Sequence, residues 1–153
     1  MVIAFEPTTD VAFVRSVFLN PAITPGMVDD SVPEPEKLDF DGLPGIFVKA
    51  LYDGLVAGCF WLLRHDDAIE VHTALLPDFH GKRAVQIGRA LVPWIFEHTG
   101  AARITSYAWS DSPAVAWFCR MVGMKPTRTE PWPNTRHGRA VDITYYAITP
   151  TLN

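Results

Sequence analysis

Little in this sequence provides for covalent cross-links, membrane spans or metal centres. Two cysteines occur in 153 residues, Cys59 and Cys119, each inside an apolar segment. Both read as reduced core thiols, and a disulfide framework is excluded as the source of stability. The longest apolar run, Leu55–Leu63, has nine residues, against roughly 20 for a membrane span. Met1-Val2-Ile3-Ala4-Phe5-Glu6-Pro7 has no basic segment ahead of its short apolar run, unlike a signal peptide. A soluble, cytoplasmic protein with no membrane partner is therefore expected. Positive charge is not in excess: 13 Lys plus Arg stand against 17 Asp plus Glu, a net charge of −4. No nucleic-acid partner is expected from that balance. The five histidines are scattered, with neither His-Glu-x-x-His nor Cys-x-x-Cys, so no metal site is expected. No Gly-x-Ser-x-Gly elbow occurs, and Gly81-Lys82 lacks the earlier glycine of a P-loop.

What remains is 48% apolar and 20% charged, enough for one well-packed domain spanning 1–153. Val2–Phe5 reads as a short first strand. Thr8 or Thr9 is placed to cap a helix carrying Val11, Val14 and Phe18 on one face and stopping at Asn20-Pro21. Thr24-Pro25-Gly26-Met27 opens a further helical turn. Ser31 to Gly45, with three prolines and four acidic residues, reads as a surface loop. Three antiparallel strands follow, Ile46–Tyr52, Leu55–Arg64 and Ala68–Leu76, the first pair joined by Asp53-Gly54, a strong hairpin signal. Lys82–Thr99 has helical spacing ended by Gly100, with Pro93 expected to kink or break it. Arg103–Trp109 is a strand. Asp111 or Ser112 caps a helix with Pro113 at its first position and Gly123 at its end. Met124–Thr129 and Val141–Ile148 close the chain as strands. The step from the strand ending at Leu76 through a helix to Arg103 is a βαβ crossover, so those two strands should be parallel. The fold class is α/β (α+β), a mixed sheet with helices on its faces.

The segment most suggestive of chemistry is Leu75-Leu76-Pro77-Asp78-Phe79-His80-Gly81-Lys82-Arg83-Ala84-Val85. It joins a strand end to a long helix. Free N–H groups at a helix start, with two cations beside them, form an anion site. An ordinary connection with solvated basic residues is the alternative, and local chemistry leaves both open. Pro77, Phe79, Gly81 and Lys82, the element order, and the Ser112-Pro113 helix ending in Gly123-Met124 together resemble the GNAT superfamily of N-acetyltransferases, in a divergent short form like those of bacteria and their phages. The resemblance implies a mostly antiparallel central sheet with helices on both faces and acetyl-CoA as cosubstrate. The loop from His80 through Gly81, Lys82, Arg83, Ala84 and Val85 would hold its pyrophosphate, with Ser112 as a further cofactor contact. A backbone N–H at Ala74 or Leu75 would meet the oxyanion. Relative to the family pattern, His80 replaces Gln or Arg, Arg83 the central glycine, Val85 a small residue, Ser112 an asparagine, and Cys119 the tyrosine that often protonates the leaving thiolate.

Strand alternation puts Glu70, His72 and Ala74 on one face and Ile69, Val71, Thr73 and Leu75 on the other. An ammonium must lose a proton before it attacks a thioester. The resemblance implies Glu70 or His72 for that step and Cys119 as the substituted acid. Each also has a plain structural reading, as a paired carboxylate, a half-buried imidazole and a packed thiol. The function so implied is transfer of an acetyl group from acyl-CoA to an amine of a small molecule or protein. The alternative is a catalytically inactive GNAT-fold binding or assembly protein, for example one encoded by a phage, contacting a partner through the acidic loop or a basic tip at Arg136. Aromatics on the last strand leave a homodimer open. Trp132–Arg139, locally basic, reads as a solvated hairpin tip or a lid facing substrate.

Overall fold

The computed structural model describes residues 1–151. Seven strands form one sheet in the order β1-β2-β3-β4-β5-β7-β6. They are β1 (Ile3–Thr8), β2 (Ile46–Tyr52), β3 (Leu55–His65), β4 (Ala68–Leu75), β5 (Arg103–Trp109), β6 (Lys125–Pro131) and β7 (Asp142–Ile148). The helices are α1 (Val11–Phe18), α2 (Lys82–Thr99) and α3 (Pro113–Val122). Every strand pair is antiparallel except β4–β5, which the α2 crossover makes parallel as expected. At the β2–β3 turn Asp53 and Gly54 adopt φ of +50° and +81°, the mirror-image turn that matches strand twist.

Two cores explain why β3 is apolar almost throughout: both of its faces are covered. On one face Phe60 and Leu62 pack with Ile87, Leu91 and Ile95 of α2 and Cys119 of α3. On the other, Cys59 and Ala74 of β4 pack beneath Val14, Val17 and Phe18 of α1. Both cysteines are free and buried. No helix among the described residues is long and apolar enough to cross a membrane.

Several local expectations are corrected. Asp10 caps α1, accepting from Phe13 N–H at 3.1 Å. Thr8 belongs to β1, and its hydroxyl accepts from Asp10 N–H instead. The helix is not broken at Pro93, whose ring sits on the exposed side of α2. The acidic segment 31–45 is not a free loop. It contains a 3-10 turn at Pro35–Lys37, Arg15 donates to the carbonyls of Glu36 and Leu38, and Phe40 is buried against Phe18. Its prolines hid one apolar anchor.

Candidate active site

β4 and β5 pair only over Ala68–Glu70 with Arg103–Thr105 and then part. Beyond that point the Ser106 hydroxyl donates to the Val71 carbonyl at 3.1 Å, a side chain taking the place of the next ladder bond. The parting strands open a cavity of 280 Å³ that passes from one face of the sheet to the other.

The edge of β4 that faces this cavity carries unpaired amides. Leu76 N–H donates to Ala57 carbonyl, and antiparallel pairing alternates. Ala74 and His72 therefore turn their backbone groups to β3, while Thr73 and Leu75 turn theirs to the slot. His80 agrees with this: its Nε2 donates to the Leu75 carbonyl at 2.8 Å. Of the two amides expected for an oxyanion, Leu75's faces the slot and Ala74's does not. Gly58 makes the arrangement possible, since a Cβ there would lie 2.2 Å from the Ala74 carbonyl oxygen.

At one end of the slot stands the first turn of α2. Gly81 has φ +67° and open space where a Cβ would be, a backbone state that favours glycine. No side chain caps this helix, so the amides of Lys82, Arg83 and Ala84 are left for an anion. Arg83 does not obstruct them. Its guanidinium lies over the rings of Tyr52 and Phe79, at 5.6 and 5.7 Å, and donates to the Asp78 carbonyl. His80, Gly81 and Ala84 line the cavity, whereas the side chains of Lys82, Arg83 and Val85 lie outside it. Ser112 and Cys119 line it from α3. The expected cap is corrected here: Ser112 occupies the cap position, but its hydroxyl donates to Asp111 and caps nothing.

At the other end is His72. Its Nε2 lies 2.7 Å from Glu70 Oε2. That hydrogen bond, first of all, holds the Glu70 carboxyl below its ordinary range despite burial, with His65 adding attraction at 3.8 Å. An ionised carboxylate only accepts, so Nε2 carries the hydrogen and Nδ1 is left as the basic nitrogen of the neutral ring. His72 is held between Trp61, at 5.0 Å, and Tyr107, at 5.4 Å between ring centres. Glu70 itself is not a wall of the cavity. Burial pushes the Cys119 thiol up to about 11. Burial, reinforced by the Glu70 charge, pushes the Tyr107 phenol up to about 12.

Three residues that sequence reasoning undervalued complete the site. Tyr107 and Trp109 project from β5 onto the same face as His72, which period-two alternation along Arg103–Trp109 would have shown. Arg136 is 5% exposed, not a solvated tip. Its Nε donates to both Asp111 oxygens at 3.1 Å, its Nη1 to the carbonyls of Pro25 and Val28, and it stacks on Trp109 at 3.9 Å. It thereby fixes the segment whose Ile23 and Met27 roof the slot. Asp29 and Asp30 fasten the same segment to Trp132, Asn134 and Thr135.

The family described as "Protein of unknown function (DUF2824)" matches residues 37–151. No curated protein matches the sequence. Among solved structures, spermidine N-acetyltransferase from Vibrio cholerae, in complex with CoA and spermine, superposes with a TM-score of 0.78 at 14% identity, covering 96% of this chain and 95% of that one. The putative acetyltransferase yncA of Salmonella typhimurium, with its cofactor acetyl-CoA, gives 0.65 at 15% identity over 97% and 94%. Ribosomal-protein-S5-alanine acetyltransferase of Vibrio fischeri gives 0.67 at 12% over 96% and 91%. At these identities the likeness is one of architecture, and the architecture is the GNAT fold.

Proposed function

Because the chain belongs to the DUF2824 family and is built on the GNAT fold, we propose from its own geometry that it is an acyl-CoA-dependent N-acyltransferase acting on an amine. The observation that carries this reading is the open slot between β4 and β5, with uncapped helix amides at one end and an oriented imidazole at the other. CoA or acetyl-CoA is bound in two of the solved neighbours, which supports a CoA-type cosubstrate here.

The amides of Lys82, Arg83 and Ala84 receive the pyrophosphate. Arg83, turned outward, leaves them accessible although it replaces a glycine. The Leu75 N–H, held at the slot edge, donates to the carbonyl oxygen as negative charge develops there. His72 Nδ1 removes the proton of the incoming ammonium, and Glu70 orients the ring and stabilises the imidazolium that forms. Cys119 has a different task from the tyrosine it replaces. A thiol at about 11 is a weaker acid than a free thiol near ~8.5, so full proton transfer to a departing thiolate would run uphill. Cys119 donates a hydrogen bond to the departing sulfur without giving up its proton. Trp117, 47% exposed and on the cofactor side of the cavity, offers its ring to the nucleotide end.

The alternative reading, a non-catalytic binding or assembly protein, rests on the departures from the family pattern at Arg83, Val85, Ser112 and Cys119. Two of these, Arg83 and Val85, lie outside the slot and leave it open. A basic docking tip at Arg136 loses its support, because that guanidinium is internally paired. A thermal-shift titration with acetyl-CoA tests the reading. At 100 times Kd, stabilisation of about 2.7 kcal/mol is expected, and no shift at millimolar ligand would overturn it.

A further inference from the structure

The slot has two unlike halves. On the α2–α3 side it ends at the amides that suit an anion. On the α1 side it is walled by His72, Tyr107 and Trp109 and roofed by Ile23 and Met27. Among the described residues, no carboxylate forms part of its wall. Glu70 stands behind His72 and is engaged by it. Asp29 is engaged by Ser31, Trp132 and Asn134. The acidic segment 31–45 contributes no wall residue either, so its charge is not presented to the bound acceptor.

The aromatic rings do not offer a cation cage in its place. One guanidinium, Arg136, already covers Trp109 at 3.9 Å, and Tyr107 is edged by His72 and stacked with Trp132.

We propose that the acceptor is a primary amine carried on a small uncharged apolar body, an arylalkyl- or alkylamine, and that polyamines are excluded. This rests on the transferase reading above. Apolar walls disfavour the charged form of the amine they enclose, which helps His72 deliver it as a neutral nucleophile. A second ammonium would enter the same walls beside the buried Arg136, with no counter-ion to meet it.

The test uses the full chain with acetyl-CoA and three probes, phenethylamine, isoamylamine and spermidine, following release of the CoA thiol. Phenethylamine or isoamylamine is expected to exceed spermidine in kcat/KM by about 100-fold, the scale of one uncompensated buried charge. Met27→Glu, which places a carboxylate in the roof, is expected to narrow that ratio at least about tenfold by improving spermidine. Equal or better turnover of spermidine by the unaltered protein overturns the inference. So does an acetyl-CoA complex whose melting temperature neither monoamine raises and with which neither reacts. In both cases stabilisation by acetyl-CoA keeps the transferase reading standing; absence of that stabilisation overturns the two together.

Discussion

Glu70 Oε2 and His72 Nε2 lie 2.7 Å apart, two residues along one face of β4, with only the imidazole reaching the slot. On the transferase reading, the carboxylate acts through the ring. His72→Ala is expected to lower kcat by about 100-fold, the ordinary contribution of a general base. Glu70→Gln keeps the shape and loses the charge; it should lower kcat by about tenfold and leave KM for acetyl-CoA unchanged. Steady-state kinetics with saturating acetyl-CoA separates the two. A rise in KM with constant kcat in either variant would remove the assigned roles.

Arg136 joins Asp111 to the carbonyls of Pro25 and Val28. Arg136→Ala leaves the Asp111 carboxylate and two carbonyls without their donor. A loss of about 2–4 kcal/mol in urea unfolding is expected, with a raised KM for the amine because the roof above that half of the slot is freed. A change below about 0.5 kcal/mol would return Arg136 to the status of a surface residue.

Acid should loosen the same roof. Asp29 is held below its ordinary range: partial burial opposes ionisation, but hydrogen bonds from Ser31, Trp132 and Asn134 outweigh it. Asp30 is lowered chiefly by Thr135 and the Gly138 amide. Groups depressed in the folded state contribute stability that is full above the unfolded value of 3.8 and is lost as pH falls through the lower folded values. Hydrogen exchange over residues 22–31 should therefore accelerate between pH 4 and pH 2 in excess of its intrinsic change. Asp29→Asn should show a smaller excess.

Gly58 pairs with Leu75 across β3 and β4, and a Cβ would meet the Ala74 carbonyl at 2.2 Å and Leu75 Cα at 2.8 Å. Gly58→Ala is expected to cost about 1–3 kcal/mol as β4 is displaced. Because the displaced stretch carries the Leu75 amide, kcat should fall more than KM rises. A stable variant with unaltered kcat would separate that amide from the chemistry.

Trp117 gives a direct optical readout. Acetyl-CoA should quench the part of the tryptophan fluorescence that Trp117→Ala removes, and that variant should raise Kd several-fold, the value of one stacking contact, without altering kcat. Unchanged affinity would place the nucleotide elsewhere on the rim.

Much of this architecture could be read from periodicity and punctuation. The α2 boundaries, Lys82 and Thr99, followed from apolar spacing and the left-handed Gly100, and the parallel β4–β5 pair followed from the helical crossover between the two strands. The loop at His80–Val85 was found because its glycine and cations sit where a strand becomes a helix. Arg136 was misread because its partners, at 25, 28 and 111, are 25 to 111 residues away in sequence, and local composition there was simply basic and turn-rich. Phe40 was hidden for the same reason, an isolated aromatic among prolines and acids whose destination is a helix in a different part of the chain. The direction of Arg83 depended on two rings, Tyr52 and Phe79, that only the folded chain brings to it.

The guanidinium of Arg136 reaches back more than a hundred positions to grip the Pro25–Val28 turn. A polypeptide leaving the ribosome N-terminus first can lay down β1 to β4 and even α2 early. It cannot clamp the ceiling of the slot until the connection between β6 and β7 has been synthesised. Closure of the slot is thus a late event for the nascent protein, and Arg136→Ala should yield a sheet that forms but a cleft that gapes, whereas truncation ahead of residue 136 would also remove β7 from between β5 and β6.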